Sequence, residues 1–278
     1  MSVILVGLDT SAAARPVLDA AVAFGAMAGV PVEAVHVHDG AVETPATLAA
    51  RSGVALRVLE GPTGAVLIDA FSAAEVCAAV VGARATPGGR RPVGRIARAV
   101  VEKALKPVLV VPPEASLTAP IRRILLPLEG MEISSRPVQE ALWPLVTNDV
   151  ELVALHVFTD ATLPRMLDQP AYDLEVIGQE FLARHCPPAT KIVLRPGPVG
   201  RRVFEVSAEH GIDVVVLSWS QDSSPGRAQV VQEVLGTLAL PVLLLPVAAR
   251  AGGNEERTVV EEQSQGPFGV GGANAATA

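Results

Sequence analysis

The two halves of this chain follow one plan. Residues Ile4 to His36 read ILVGLDTSAAARPVLDAAVAFGAMAGVPVEAVH, and Ile124 to His156 read ILLPLEGMEISSRPVQEALWPLVTNDVELVALH. Each opens on an apolar run that ends in an acid, crosses a polar loop to Arg-Pro-Val, and closes on a second apolar run with His. Further along, Gly61, Pro62 and Gly64 meet Gly197, Pro198 and Gly200, and PVLVVP at 107–112 meets PVLLLP at 241–246. A duplication of this extent fixes the architecture as one domain type used twice. It also lets any site in one half be checked against its counterpart in the other.

The 278 residues suit two domains on a prior of roughly 100–200 residues each. The repeat sets these at 1–113 and 121–247, joined by a linker at 114–120. Half of the residues are hydrophobic but only 3% are aromatic, so Val, Leu and Ala must fill the core. The net charge of −7 argues against an electrostatic grip on nucleic acid. Cys77 and Cys186 make no disulfide framework and have no metal-ligand spacing; Cys77, ahead of an apolar run, is expected to be buried. Met1 to Leu8 runs directly into an apolar strand with no basic leader, and no window holds the ~18 uninterrupted apolar residues of a membrane span. The expected setting is cytoplasmic, without a membrane. From 248 to 278 the chain turns Gly-, Glu- and Ala-rich, too poor in apolar residues to offset its ordering entropy, and disorder is expected there.

Short β-branched runs alternate with helical patterns. Strands are expected near 2–8, 32–38, 54–59, 78–82 and 107–111, with helices near 12–28, 44–51, 62–75 and 94–105. The second half repeats the order: strands near 122–128, 150–157, 190–194, 213–217 and 241–245, helices near 135–146, 172–185, 199–210 and 226–238. Runs such as VVVLS and PVLLL lack polar alternation, the mark of strands covered on both faces. Strict alternation of strand and helix gives an α/β fold: two tandem doubly wound domains, each a five-stranded parallel sheet with helices on both faces.

LVGLD followed by Thr10 and Ser11, AVHV at 34–37 repeated as ALHV at 154–157, the Gly-Pro turn before the third helix, and VVGARA…VGRIARAVVEKALKPVLVVPP together resemble the universal stress protein family. The likeness spans 2 to 247. Some members bind ATP and others do not. In binders the loop after the fourth strand runs glycine, two residues, glycine, nine residues, glycine and Ser or Thr. Glycines let backbone N–H groups approach phosphate, and the next helix points its positive end at the anion.

The first half keeps part of that pattern. Gly82 fits the first glycine, Ala85 replaces the second, Gly94 fits the third after a loop one residue shorter, and Arg95 replaces the hydroxyl residue. Asp9 keeps the acid of the first strand. The resemblance makes Asp9, Thr10, Ser11, Val37, Gly82, Arg84, Gly94 and Arg95 the candidate adenine-nucleotide residues. Arginines 84, 90, 91, 95 and 98 surround the loop. Either their guanidinium forks replace the lost donors on phosphate, or they are a solvated loop and helix face with Arg98 and Glu102 as an ordinary i,i+4 pair. The second half has lost the motif: Ser218 and Gln221 stand at the early glycines, Ala228 and Gln229 at the Gly-Ser/Thr place, and Glu129 at Asp9. Trp219 is expected to block or pack the space a ligand would take.

His36 and His156, repeated at the end of the second strand, are expected to be structural. Arg201 and Arg202 at a helix start slightly oppose the macrodipole, which an acidic neighbour or a partner would offset; otherwise they are ordinary solvated charge. No nucleophile elbow, P-loop or dinucleotide fingerprint is present. The function expected is a non-catalytic stress-response or regulatory protein with a degenerate nucleotide site, at most the first half binding ATP. The alternatives are an ATP-binding switch with slow hydrolysis and a scaffold working through its surface and tail. Partners would be a regulatory protein, a further copy in a homodimer, and first of all the two halves themselves, with 107–111 and 241–245 as the pseudo-twofold seam of an intramolecular dimer.

Overall fold

The computed structural model describes residues 2–38, 43–87, 92–117, 120–129, 132–146, 149–158, 174–221 and 228–247. Residues 1–247 form one unit; the tail 248–278, where disorder was expected, lies outside the described residues, as do Gly88, Gly89, Arg90 and Arg91. In chain order the first half gives β1 Val3–Gly7, α1 Ala14–Ala28, β2 Val32–Val37, α2 Glu43–Arg51, β3 Ala55–Leu59, α3 Thr63–Ser72, β4 Val76–Gly82, α4 Arg95–Lys103 and β5 Val108–Val111. The second half gives β6 Arg123–Leu128, α5 Glu132–Leu142, a 3₁₀ turn Trp143–Leu145, β7 Glu151–Phe158, α6 Leu174–His185, β8 Lys191–Pro196, α7 Val199–His210, β9 Val214–Trp219, α8 Gln229–Thr237 and β10 Val242–Pro246.

These strands form one sheet of ten, in the order β3-β2-β1-β4-β5-β10-β9-β6-β7-β8. Within each half all pairs are parallel, and the halves join where β5 and β10 run antiparallel, with Val110, Leu109 and Val108 opposite Val242, Leu243 and Leu244. The expected seam is therefore a backbone ladder. It removes two exposed strand edges that would otherwise invite pairing with other chains.

Alternation along the strands divides the core into two layers. Ile4, Val6, Leu109, Val111, Ile124, Leu126, Leu243 and Leu245 face α1, α2, α5 and α6; Leu5, Val108, Val110, Leu125, Val215, Val242 and Leu244 face α3, α4, α7 and α8. The unbroken apolar runs β5 and β9 are accordingly covered on both sides. His36 and His156 each bond through Nδ1 to a first-strand carbonyl, Leu8 O at 2.9 Å and Leu128 O at 3.0 Å. They tie the second strand of each half to the first, as a structural role requires.

Cys77 departs from its expected burial. β4 begins at Val76, two residues before the expected start, and Cys77, second in the strand, is only half-buried, its Sγ–H donating to Val3 O at 3.4 Å. Cys186 is the buried one, at 1% exposure, and burial pushes its thiol up to about 11.

Gly61 and Gly197, the matched glycines of the repeat, adopt φ of +124° and +113°. Each is followed by a Pro at the helix N-cap, Pro62 before α3 and Pro198 before α7. This backbone region is close to glycine-only, which explains why both copies carry Gly-Pro. Gly61→Ala and Gly197→Ala should each lower stability in urea denaturation by about 1–3 kcal/mol; an unchanged midpoint would show that the turn relaxes. For Cys186 the folded pKa lies above the ordinary thiol value of 9.0, so its contribution is whole below about pH 9 and is lost as pH rises toward 11. The stability difference between the parent and Cys186→Ala should shrink across that window.

Candidate functional site

In each half the strand order reverses beside its first strand, so β1 and β4 (and β6 and β9) flank a topological switch point. Crevices outside the C-terminal ends of such strands are where open α/β sheets hold ligands. In the first half the β1 exit supplies Asp9, Thr10 and Ser11. Asp9 and Thr10 are exposed. Asp9 Oδ1 accepts the Ser11 backbone N–H at 3.0 Å and its hydroxyl at 2.7 Å, while Ser11 Oγ accepts the Ala13 N–H at 3.2 Å. This turn fixes Asp9 at the rim and starts α1. Val37, at 6% exposure, ends β2 and packs in the core layer on the α3–α4 side.

The β4 exit supplies Gly82, Arg84, Gly94 and Arg95. Both glycines have packing reasons to be there. A Cβ on Gly82 would lie 3.1 Å from Val17 Cγ2 of α1, and one on Gly94 would lie 3.2 Å from Ala83 O. Gly94 N–H donates to that same Ala83 O at 2.7 Å, folding the loop back so that α4 begins beside Ala83 and Arg84. Gly94 is the N-cap of α4 but offers no side chain, and the first turn holds no acid.

The arginines part company. Arg95 is exposed at the start of α4, and Arg98 pairs with Glu102 at 2.8 Å, as the helix-face reading required. Arg84 is different: its side chain is only 10% exposed and its Nη2 donates to Glu114 Oε2 at 2.9 Å. Its Nε and Nη1 are buried and meet no acceptor among the described residues. Glu114 was invisible as a site residue in the sequence, where it opened a linker. Only the pairing of Gly82 with Val111 brings the exits of β4 and β5 side by side.

In the second half the equivalent loop has been put to another use. Trp219 does not fill its own crevice: it is the last residue of β9, 5% exposed, and its indole N–H donates to Val101 O of α4 at 3.1 Å. Gln221, at φ +60°, donates its side-chain amide to Ala104 O. A helix leaves its last carbonyls without intrahelical partners; here two at the end of α4 are satisfied by the other half. The antiparallel seam makes this possible by setting the exit of β9 against the entry to β5. Around α7, Arg201 and Arg202 do have an acidic neighbour. Glu205 binds Arg201 Nε at 2.8 Å and also Arg202, and these hydrogen bonds hold its carboxyl below the usual range.

No group of three or more His, Cys, Asp or Glu able to hold a metal occurs among the described residues, and none of their helices is long and apolar enough to cross a membrane. The arrangement defines a doubly wound α/β protein in which Trp219 and Gln221, at the exit of β9, are turned to α4 of the other half. Residues 120–246 match the family model described as Universal stress protein family. A search of curated protein sequences returns no match. Among solved structures, a universal stress protein from Archaeoglobus fulgidus DSM 4304 aligns at TM-score 0.60 and 14% identity, over 88% of this chain and 98% of its own. A functionally unknown protein from Pseudomonas aeruginosa PAO1 aligns at 0.58 and 13%, over 88% and 92%. At such identities the structures speak to fold alone. The family match places the second half, residues 120–246, in the universal stress protein family.

Trp219→Phe keeps the apolar bulk and removes the indole donor, leaving Val101 O unmet. It should destabilise the protein by about 1–3 kcal/mol in denaturant titration. A null effect would mean that another donor replaces the indole.

Proposed function

We propose that this is a non-catalytic stress-response regulator in which 1–113 and 121–247 are the two family units and only the first retains an adenine-nucleotide site. The observation that carries this reading is the asymmetry of the two switch-point loops. In the first half a glycine-capped helix start and a buried guanidinium lie at the exit of β4, and an exposed carboxylate lies at the exit of the adjacent β1. In the second, the corresponding loop is spent on the end of α4. Glycine, a helix N-terminus and Arg suit phosphate; Asp9 at the rim suits ribose hydroxyls.

The role of such a site in a protein without catalytic machinery is to report: ligand occupancy would alter the loop and α4, and so the surface that a regulatory partner meets. The dimer-like pairing that single-domain relatives obtain from a second copy is supplied here within one chain. Isothermal titration of nucleotide-stripped protein with ATP–Mg²⁺ should give one ligand per chain. Asp9→Asn, which keeps an oxygen for Ser11 but removes the charge, should weaken binding about tenfold. Two ligands per chain, or none, would overturn the one-site reading.

A further inference from the structure

We propose that Arg84 is a latched anion receptor: it takes a phosphoryl group at the mouth of α4, and Glu114 occupies it until that group arrives. This rests on the reading of the first half as the ligand-binding half, and adds how the site is regulated.

Three observations converge on Arg84. Its side chain is nine-tenths buried, yet of its three guanidinium nitrogens only Nη2 has a partner, while Nε and Nη1 are shut off from solvent and unmet among the described residues. Buried donors without acceptors cost free energy, so the closed arrangement is poorly satisfied and a better acceptor shifts it easily. Arg84 also stands at the start of a nine-residue helix whose N-cap is glycine and whose first turn holds no acid. A Cβ on that glycine would lie 3.9 Å from Arg84 Cα, so the backbone from which the arginine springs lies against the helix opening. Lastly, the acid that holds Arg84 comes from the linker rather than from the loop itself, two residues beyond the Pro112 that ends β5.

An incoming phosphoryl group carries more charge and more acceptor oxygens than one carboxylate, and can serve the guanidinium and the α4 N-terminus together. It cannot share Nη2 with Glu114 without like-charge repulsion. Binding therefore breaks the Arg84–Glu114 bridge, releases the start of the linker that joins the halves, and satisfies the stranded donors. The second half has no such device, since Ser220 stands at the place of Arg84.

The test is titration calorimetry of the full chain with sodium tripolyphosphate and, separately, ATP–Mg²⁺, on the parent, Arg84→Met and Glu114→Gln. Tripolyphosphate should bind the parent, bind Glu114→Gln about three- to tenfold more tightly, and bind Arg84→Met at least about tenfold more weakly. Far-UV circular dichroism checks the fold, and if Arg84→Met does not fold, the direction of the Glu114→Gln change decides. ATP–Mg²⁺ binding that is equal in all three proteins overturns the latch while leaving the first-half nucleotide site standing. Tripolyphosphate binding that depends on Arg84, with ATP–Mg²⁺ no tighter, supports the receptor and removes the adenine specificity. Failure of the parent and Glu114→Gln to bind either probe removes both.

Discussion

Everything in this molecule depends on the antiparallel ladder between β5 and β10. It is short, but it sits between fully buried Leu109 and Leu243 and turns two parallel half-sheets into one. Because the two strands run in opposite directions, the exit side of one half lies next to the entry side of the other. The contacts of Trp219 and Gln221 with α4, on which the difference between the halves rests, exist only because of that geometry.

Much of the fold was legible because its signals are local. Unbroken apolar runs gave the covered strands; the Gly-Pro pairs gave the helix starts, since φ at Gly61 and Gly197 admits little else; α7 spans 199–210 as its pattern predicts. The seam could be anticipated from the repeat of PVLVVP and PVLLLP. The end of the 12–28 pattern was equally clear, with Gly29 in the left-handed conformation closing α1.

The candidate site was legible only in outline. Asp9 follows β1, and Gly82, Arg84 and Gly94 lie at the exit of its neighbour β4, but both glycines are packed against Val17 and Ala83 O, which is reason enough for their being glycine. Glu114 could not be found, because what makes it matter is the register of β4 against β5. Trp219 was recognised as a bulky residue in the wrong place for a ligand, yet the sequence points to its own crevice, whereas the indole crosses to the other half. Cys77 was expected to be buried from the apolar run that follows it, but such a run does not say how far neighbouring elements cover the strand's first residues, and the side chain is half-buried.

The indole of Trp219 reaching α4 also says something about what joining the halves permits. In a pair of identical subunits every substitution appears on both sides of the twofold axis, so a tryptophan spent on a neighbour's helix would convert both loops at once. Within one chain the change is made once. Ala83, the counterpart of Trp219, is small and buried and makes no such reach. Fusion thus frees one copy to become a brace without imposing the same change on its counterpart, an asymmetry that a homodimer of either half could not hold.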